Sequence, residues 1–184
     1  MRLFIAIDLP DALKDRLERL KTNLPGASWT RRDTYHITLR FLGDDIAESR
    51  VPALQTALAA IASPDFDMTL QGVGRFPPGD RKPARVLWVG LAPNPPLKRL
   101  YRAVEQTVTA QGFPADDHDF SGHITLARLK LFQPDPAVDA FLARHAAFAA
   151  DPFPAEAFHL VSSTLSPQGA RYARLASFPL NRTP

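Results

Sequence analysis

Apolar positions along the chain follow two periods, and the changes between them divide it into elements. The run Leu3-Phe4-Ile5-Ala6-Ile7, closed by Asp8, predicts a buried first strand. Leu9-Pro10-Asp11 then opens a helix whose Leu13, Leu17, Leu20 and Leu24 share one face, and Pro25-Gly26 closes it. Polar and apolar residues alternate over 34–42, as in a half-buried strand. Val51, Leu54, Leu58 and Ile61 predict a second helix over 48–61, stopped by Ser63-Pro64. Residues 66–73 and 85–91 read as strands, with a basic, proline-stiffened loop over 74–83 between them. Leu97, Leu100, Tyr101, Val104 and Val108 mark a third helix over 97–111, and an Ala-, Phe- and Leu-rich stretch predicts a fourth over 136–149. Strands follow over 123–131, 158–165 and 172–178, the last two around the turn Ser166-Pro167-Gln168-Gly169. Strands with interspersed helices and no linker predict an α+β fold rather than a doubly wound sheet.

Composition narrows the class. At 184 residues, 45% hydrophobic and 22% charged, the chain can bury a core without staples, and it lacks the signature of disorder. No apolar run nears the ~18 residues of a membrane span, and the opening strand is too short and too soon charged for a signal peptide. With no cysteine there is no disulfide, thiol nucleophile or thiolate metal site, and cytoplasmic residence is expected. The formal charge of +3 suits a phosphate-bearing ligand, although the acids are too interspersed for a coating basic patch.

The chemistry lies in a repeat. His36-Ile37-Thr38-Leu39 recurs as His123-Ile124-Thr125-Leu126 about half the chain later, in a sequence with only five histidines. Both copies lie in strand-like runs, so His and Thr share one face while Ile and Leu enter the core. If the halves face each other, two imidazoles and two hydroxyls converge on one cleft. Near pH 7 one imidazole can be protonated and the other neutral, an acid and a base together. Two hydroxyls can hold two non-bridging oxygens. A phosphodiester needs these four groups, and no metal.

These residues resemble the 2H phosphoesterase superfamily, whose signature is two His-x-Thr-x motifs, and within it the RNA 2',3'-cyclic phosphodiesterases once named 2'-5' RNA ligases. The similarity runs over nearly the whole chain: Arg2 to Pro10, His36 to Gly43, Arg85 to Gly90, His123 to Arg128 and Ser163 to Tyr172. The resemblance implies one domain over 1–184 with two pseudo-symmetric lobes, their antiparallel sheets facing a central cleft and their helices outside. It implies His36 as proton donor to the departing O3', His123 as proton acceptor from water, and a 2'-phosphate product. Thr38 and Thr125 would hold phosphoryl oxygens, Arg128 would meet the phosphate and Phe41 would stack on a base. The expected partners are RNA with 2',3'-cyclic phosphate ends or cyclic nucleotides, with no cofactor, metal, membrane or protein partner, and a monomeric state. Reversal as a 2'-5' ligase uses the same acid and base. The alternatives are the same chemistry on another cyclic phosphate, such as one of ADP-ribose, and a non-catalytic RNA-end-binding module.

Phe41 and Arg128 stand at the same offset from their histidines, where a strict strand turns them away from the cleft; a bulge would bring them back. Arg40 reads as a rim charge, and Arg75, Arg81 and Lys82 as loop charges able to steer RNA. His118, between Asp117 and Asp119, reads as part of a solvated turn rather than a metal site. His145 and His159 read as structural, and Trp88 as core.

Overall fold

The first apolar run forms β1 (Arg2–Asp8), buried throughout Leu3 to Ile7 because the strand lies between two others. The structure, a computed structural model, describes residues 1–117, 119–166 and 169–181, so His118 and the turn residues Pro167 and Gln168 lie outside it. α1 (Asp11–Glu18) ends earlier than its leucine stripe predicts. Leu20 and Leu24 are still buried, but the amides of Leu20 and Lys21 turn back tightly and the Thr22 carbonyl accepts from Trp29 Nε1 at 3.0 Å. Thr22 and Asn23 favour that departure from the helix.

The chain continues through β2 (Ala27–Trp29), too short for a periodic signal, then β3 (His36–Gly43) and α2 (Val51–Ala59). The single strand expected over 66–73 is two, β4 (Phe66–Met68) and β5 (Leu70–Phe76), which belong to different sheets. Met68 and Leu70 are both buried, so the alternation does not register the change of sheet at Thr69. β6 (Val86–Leu91) precedes α3 (Pro95–Ala110), whose N-terminus is capped by Asn94 Oδ1 accepting from the Leu97 amide at 2.9 Å. After β7 (His123–Leu129), α4 (Pro136–His145) stops short of 149, because Phe148 and Ala149 pair alongside β5 instead. β8 (Phe153–Ala155), β9 (Ala157–Ser166) and β10 (Gly169–Pro179) complete the chain.

Two four-stranded sheets result, in the orders β10-β9-β1-β3 and β2-β7-β6-β5, with every neighbour antiparallel, and β4 pairs with β8 in a small third sheet. The triplet β9-β1-β3 of one sheet answers β5-β6-β7 of the other. The sequence halves are therefore not the lobes: β5 and β6 leave the first half for the second sheet, while β9 returns to β1 and β10 pairs with β9. α2 packs against β10, α3 against β3 and α4 against β5, and one core cluster joins the helix leucines to the inward residues of both sheets. Among the described residues no helix is long and apolar enough to cross a membrane.

Candidate active site

Both copies of the repeat open a strand, β3 and β7, at corresponding places in their sheets. Ile37, Leu39, Ile124 and Leu126 are buried, while His36, Thr38, His123 and Thr125 all line one cleft of about 450 Å³. The two imidazoles are held alike. His36 Nδ1–H donates to the Thr34 carbonyl and His123 Nδ1–H to the Ser121 carbonyl, each at 2.7 Å. That bond assigns the proton of the neutral ring to Nδ1 and leaves Nε2 for chemistry. His36 Nε2 lies 3.0 Å from Thr38 Oγ1.

Their surroundings differ. The His36 ring packs 4.9 Å from Phe4 and 5.4 Å from Tyr172, and Asp8 is its register partner on β1. Burial pushes the His36 imidazolium down, the Thr34 carbonyl and Asp8 carboxylate hold it up, and His123 lowers it again; the net direction is down. Asp8 is fixed by Lys14 Nζ at 2.7 Å and Arg174 Nη2 at 3.0 Å. Burial lifts its carboxyl, but the hydrogen bonds from Lys14 and the Leu9 amide, with the charges of Lys14 and Arg174, leave it below the usual carboxylate range. His123 instead faces Gly90 in the register, with Phe76 at 5.1 Å and Trp88 at 6.3 Å from its ring.

Matching bulges aim the next residues. In β3, Thr38 pairs with Ala6 and Arg40 with Ile5, so Leu39 is extra. In β7, Thr125 pairs with Trp88 and Ala127 with Leu87, so Leu126 is extra. Each bulge reverses the alternation that follows it. Phe41 then lies opposite Phe4 and Arg128 opposite Val86, and both line the cleft.

The same shift corrects two expectations. Arg40 is not a rim charge: it shares the core side with Ile5 and its Nε meets Glu105 at 2.7 Å, with Asp116 at 3.5 Å from Nη1. Trp88 is not core, because pairing with Thr125 puts it on the His123 side of the sheet, lying across Gly74. Arg75 is no steering charge either. It is buried, and its guanidinium bonds the carbonyls of Pro77 and Lys82. Arg81 and Lys82 are exposed. His145 packs on Phe141, and His159 is buried with Nδ1 3.0 Å from Ser177 Oγ.

The cleft also contains Arg2, Phe4, Thr30, Ser163 and Tyr172, to which the repeat does not point. Tyr172 of β10 pairs with Ser163 of β9, which pairs with Arg2 of β1, so three strands present one row to the cleft. The blocks opening at Arg2 and closing at Tyr172 were the available signal.

The LigT-like phosphoesterase family matches the chain twice, over residues 7–88 and 89–172. The chain belongs to this family. The boundary between the two matches falls inside β6, the strand that answers β1, so the family unit repeats as the sheets do. This LigT-like phosphoesterase is 30% identical to the RNA 2',3'-cyclic phosphodiesterase of Archaeoglobus fulgidus, over 97% of this chain and 99% of that protein. It is 31% identical to that of Thermotoga maritima, over 94% of this chain and 91% of the relative. E. coli LigT complexed with 3'-AMP has a similar structure, with a TM-score of 0.80, 25% identity and 98% of each chain covered.

Proposed function

We propose that this phosphoesterase hydrolyses 2',3'-cyclic phosphate ends of RNA to 2'-phosphates, with His36 as acid and His123 as base. The reading joins the activity named for its relatives to one observation, the matched pair of histidines whose Nδ1 atoms are engaged by backbone carbonyls at 2.7 Å. Neutral His123 accepts a proton from water at Nε2 as the water oxygen attacks phosphorus. The P–O3' bond breaks in line, and protonated His36 gives its Nε2 proton to O3'. Thr38 and Thr125 donate to the non-bridging oxygens, and the Arg128 guanidinium balances their charge. Phe41 offers a ring face to the base. The two sheets act as one domain over 1–184, because the acid and base come from different ones. With an RNA 5'-hydroxyl in place of water as the nucleophile, the same steps form a 2'-5' linkage.

Turnover of a 2',3'-cyclic mononucleotide tests the reading. Saturable hydrolysis to a 2'-nucleotide is expected. A protein that binds the nucleotide without turning it over is an RNA-end-binding module instead.

A further inference from the structure

The cationic side of the cleft continues past Arg128. Leu129 and Leu131 are 3% and 9% exposed, whereas Arg128 and Lys130 are exposed and Phe132 reaches 102%. The alternation set by the β7 bulge therefore runs on beyond the strand's end. The backbone is held there: the Lys130 amide donates to the Gly26 carbonyl at 2.9 Å, and Arg85 Nη1 donates to the Leu131 carbonyl at 3.0 Å. Two residues of extended chain span about 6.6 Å, so Lys130 follows Arg128 on one side of the chain, and exposed Phe132 stands at the bend that comes next. The β5–β6 hairpin alongside brings exposed Arg81, Lys82 and Arg85, and the buried Arg75 guanidinium ties that hairpin through the Lys82 carbonyl. Of the acids at this end, Asp135 is engaged as the cap of α4, and Asp80 is exposed beside Arg81, so Arg81, Lys82 and Arg85 keep the hairpin end positive.

Cations in a row with an exposed aromatic suit one class of ligand. Single-stranded nucleic acid offers an anion at every linkage and a π face at every base, and binding of this kind is tolerant of sequence. A protein partner would ask instead for a contiguous apolar patch, which one phenylalanine among cations does not supply. We infer that Lys130 and Phe132 bind single-stranded RNA beyond the nucleotide held in the cleft. The inference rests on the proposed function for what enters the cleft, but the contact itself is read without turnover.

The test is Lys130→Ala combined with Phe132→Ala, read by fluorescence anisotropy with a short labelled oligoribonucleotide ending in an ordinary 3'-hydroxyl. Binding is expected to weaken about tenfold, and the slope of log affinity against log salt to become shallower by about 0.7. The melting temperature, and kcat and KM for a 2',3'-cyclic mononucleotide, are expected to stay at the starting values. An oligomer ending in a cyclic phosphate tells which strand lies on the row. A KM that rises in parallel places the substrate's own strand there; an unchanged KM with weakened 3'-hydroxyl oligomer binding places a second strand there. Unchanged oligomer binding overturns the inference, as does an equal loss of mononucleotide turnover, which would mean that the two residues merely shape the cleft. A protein that hydrolyses no cyclic phosphate yet loses oligomer binding in the double variant defeats the proposed function and leaves this contact standing.

Discussion

Two histidines followed by the same Ile-Thr-Leu occupy unlike settings, and the proposed reaction gives them different work. His36 is enclosed by Phe4 and Tyr172 and faces a carboxylate across the strand pair, whereas His123 faces Gly90. If they are acid and base, His36→Ala and His123→Ala each lower kcat by ~10²–10⁴ while the melting temperature stays within a few degrees. Their effects fall short of multiplying in the double variant, because the pair acts as a unit. Near-wild-type turnover in either single variant, measured with a 2',3'-cyclic nucleotide, would remove that histidine from the reaction. The pH profile carries a second test. As the acid, His36 must be protonated in the free enzyme, and burial lowers its pKa. The alkaline limb of kcat/KM therefore lies on the low side of an ordinary histidine. Bound phosphate favours the imidazolium, so the matching limb of kcat sits higher. Asp8→Asn removes the carboxylate that holds His36 up and leaves Lys14 and Arg174 unneutralised nearby. The alkaline limb is then expected to move to lower pH; an upward move or none means that Asp8 does not act on this imidazole.

The elements show where the sequence was legible and where it was not. The repeat announced two strands with His and Thr on one face, since alternation needs no knowledge of a partner. The bulges did need it: Leu39 and Leu126 are extra only relative to β1 and β6, so whether Phe41 and Arg128 reach the cleft was open until the pairing was known. β2 and β8 have three residues each, too few for a period to show. Trp88 resembles a core position in the sequence for a similar reason: Leu87 and Val89 on either side are buried, and the bulge opposite sets its face. That placement depends on glycine. A Cβ on Gly74 would lie 2.1 Å from Trp88 Cζ2, within a ring that packs beside His123. Gly74→Ala is expected to displace the indole, cost ~1–3 kcal/mol in stability and lower kcat/KM about tenfold. Asn94→Ala, which removes a cap on α3 away from the cleft, is expected to cost about 1 kcal/mol and leave kcat/KM unchanged. Thermal melts and turnover of both variants separate packing at the site from stability in general.

At the scale of the whole molecule, strands are exchanged between the two halves of the chain, and the pattern of the sequence does not show it. No local pattern reports that β9 returns to β1 or that the β5–β6 hairpin joins β7, because both sheets demand the same alternation. The consequence is chemical as well as topological. Each sheet contributes one histidine and one threonine to the cleft, so the two imidazoles face a ligand from different walls. Opposed groups suit in-line displacement, where the entering and leaving oxygens stand on either side of phosphorus. In the proposed reaction, proton transfer falls to two imidazoles, and charge on the equatorial oxygens to two hydroxyls and Arg128. Turnover is accordingly expected to persist in EDTA; a loss restored by a divalent ion would overturn this division of labour. The proposed roles also determine the product. With His36 on the leaving oxygen and water arriving from the His123 side, only the bond to O3' is in line with attack, and the phosphate remains on O2'. Phosphorus NMR of a hydrolysed 2',3'-cyclic nucleotide distinguishes the isomers, and the 2'-phosphate is expected to predominate. Predominant 3'-phosphate would mean that the ribose lies the other way round in the cleft, with His36 acting on O2'.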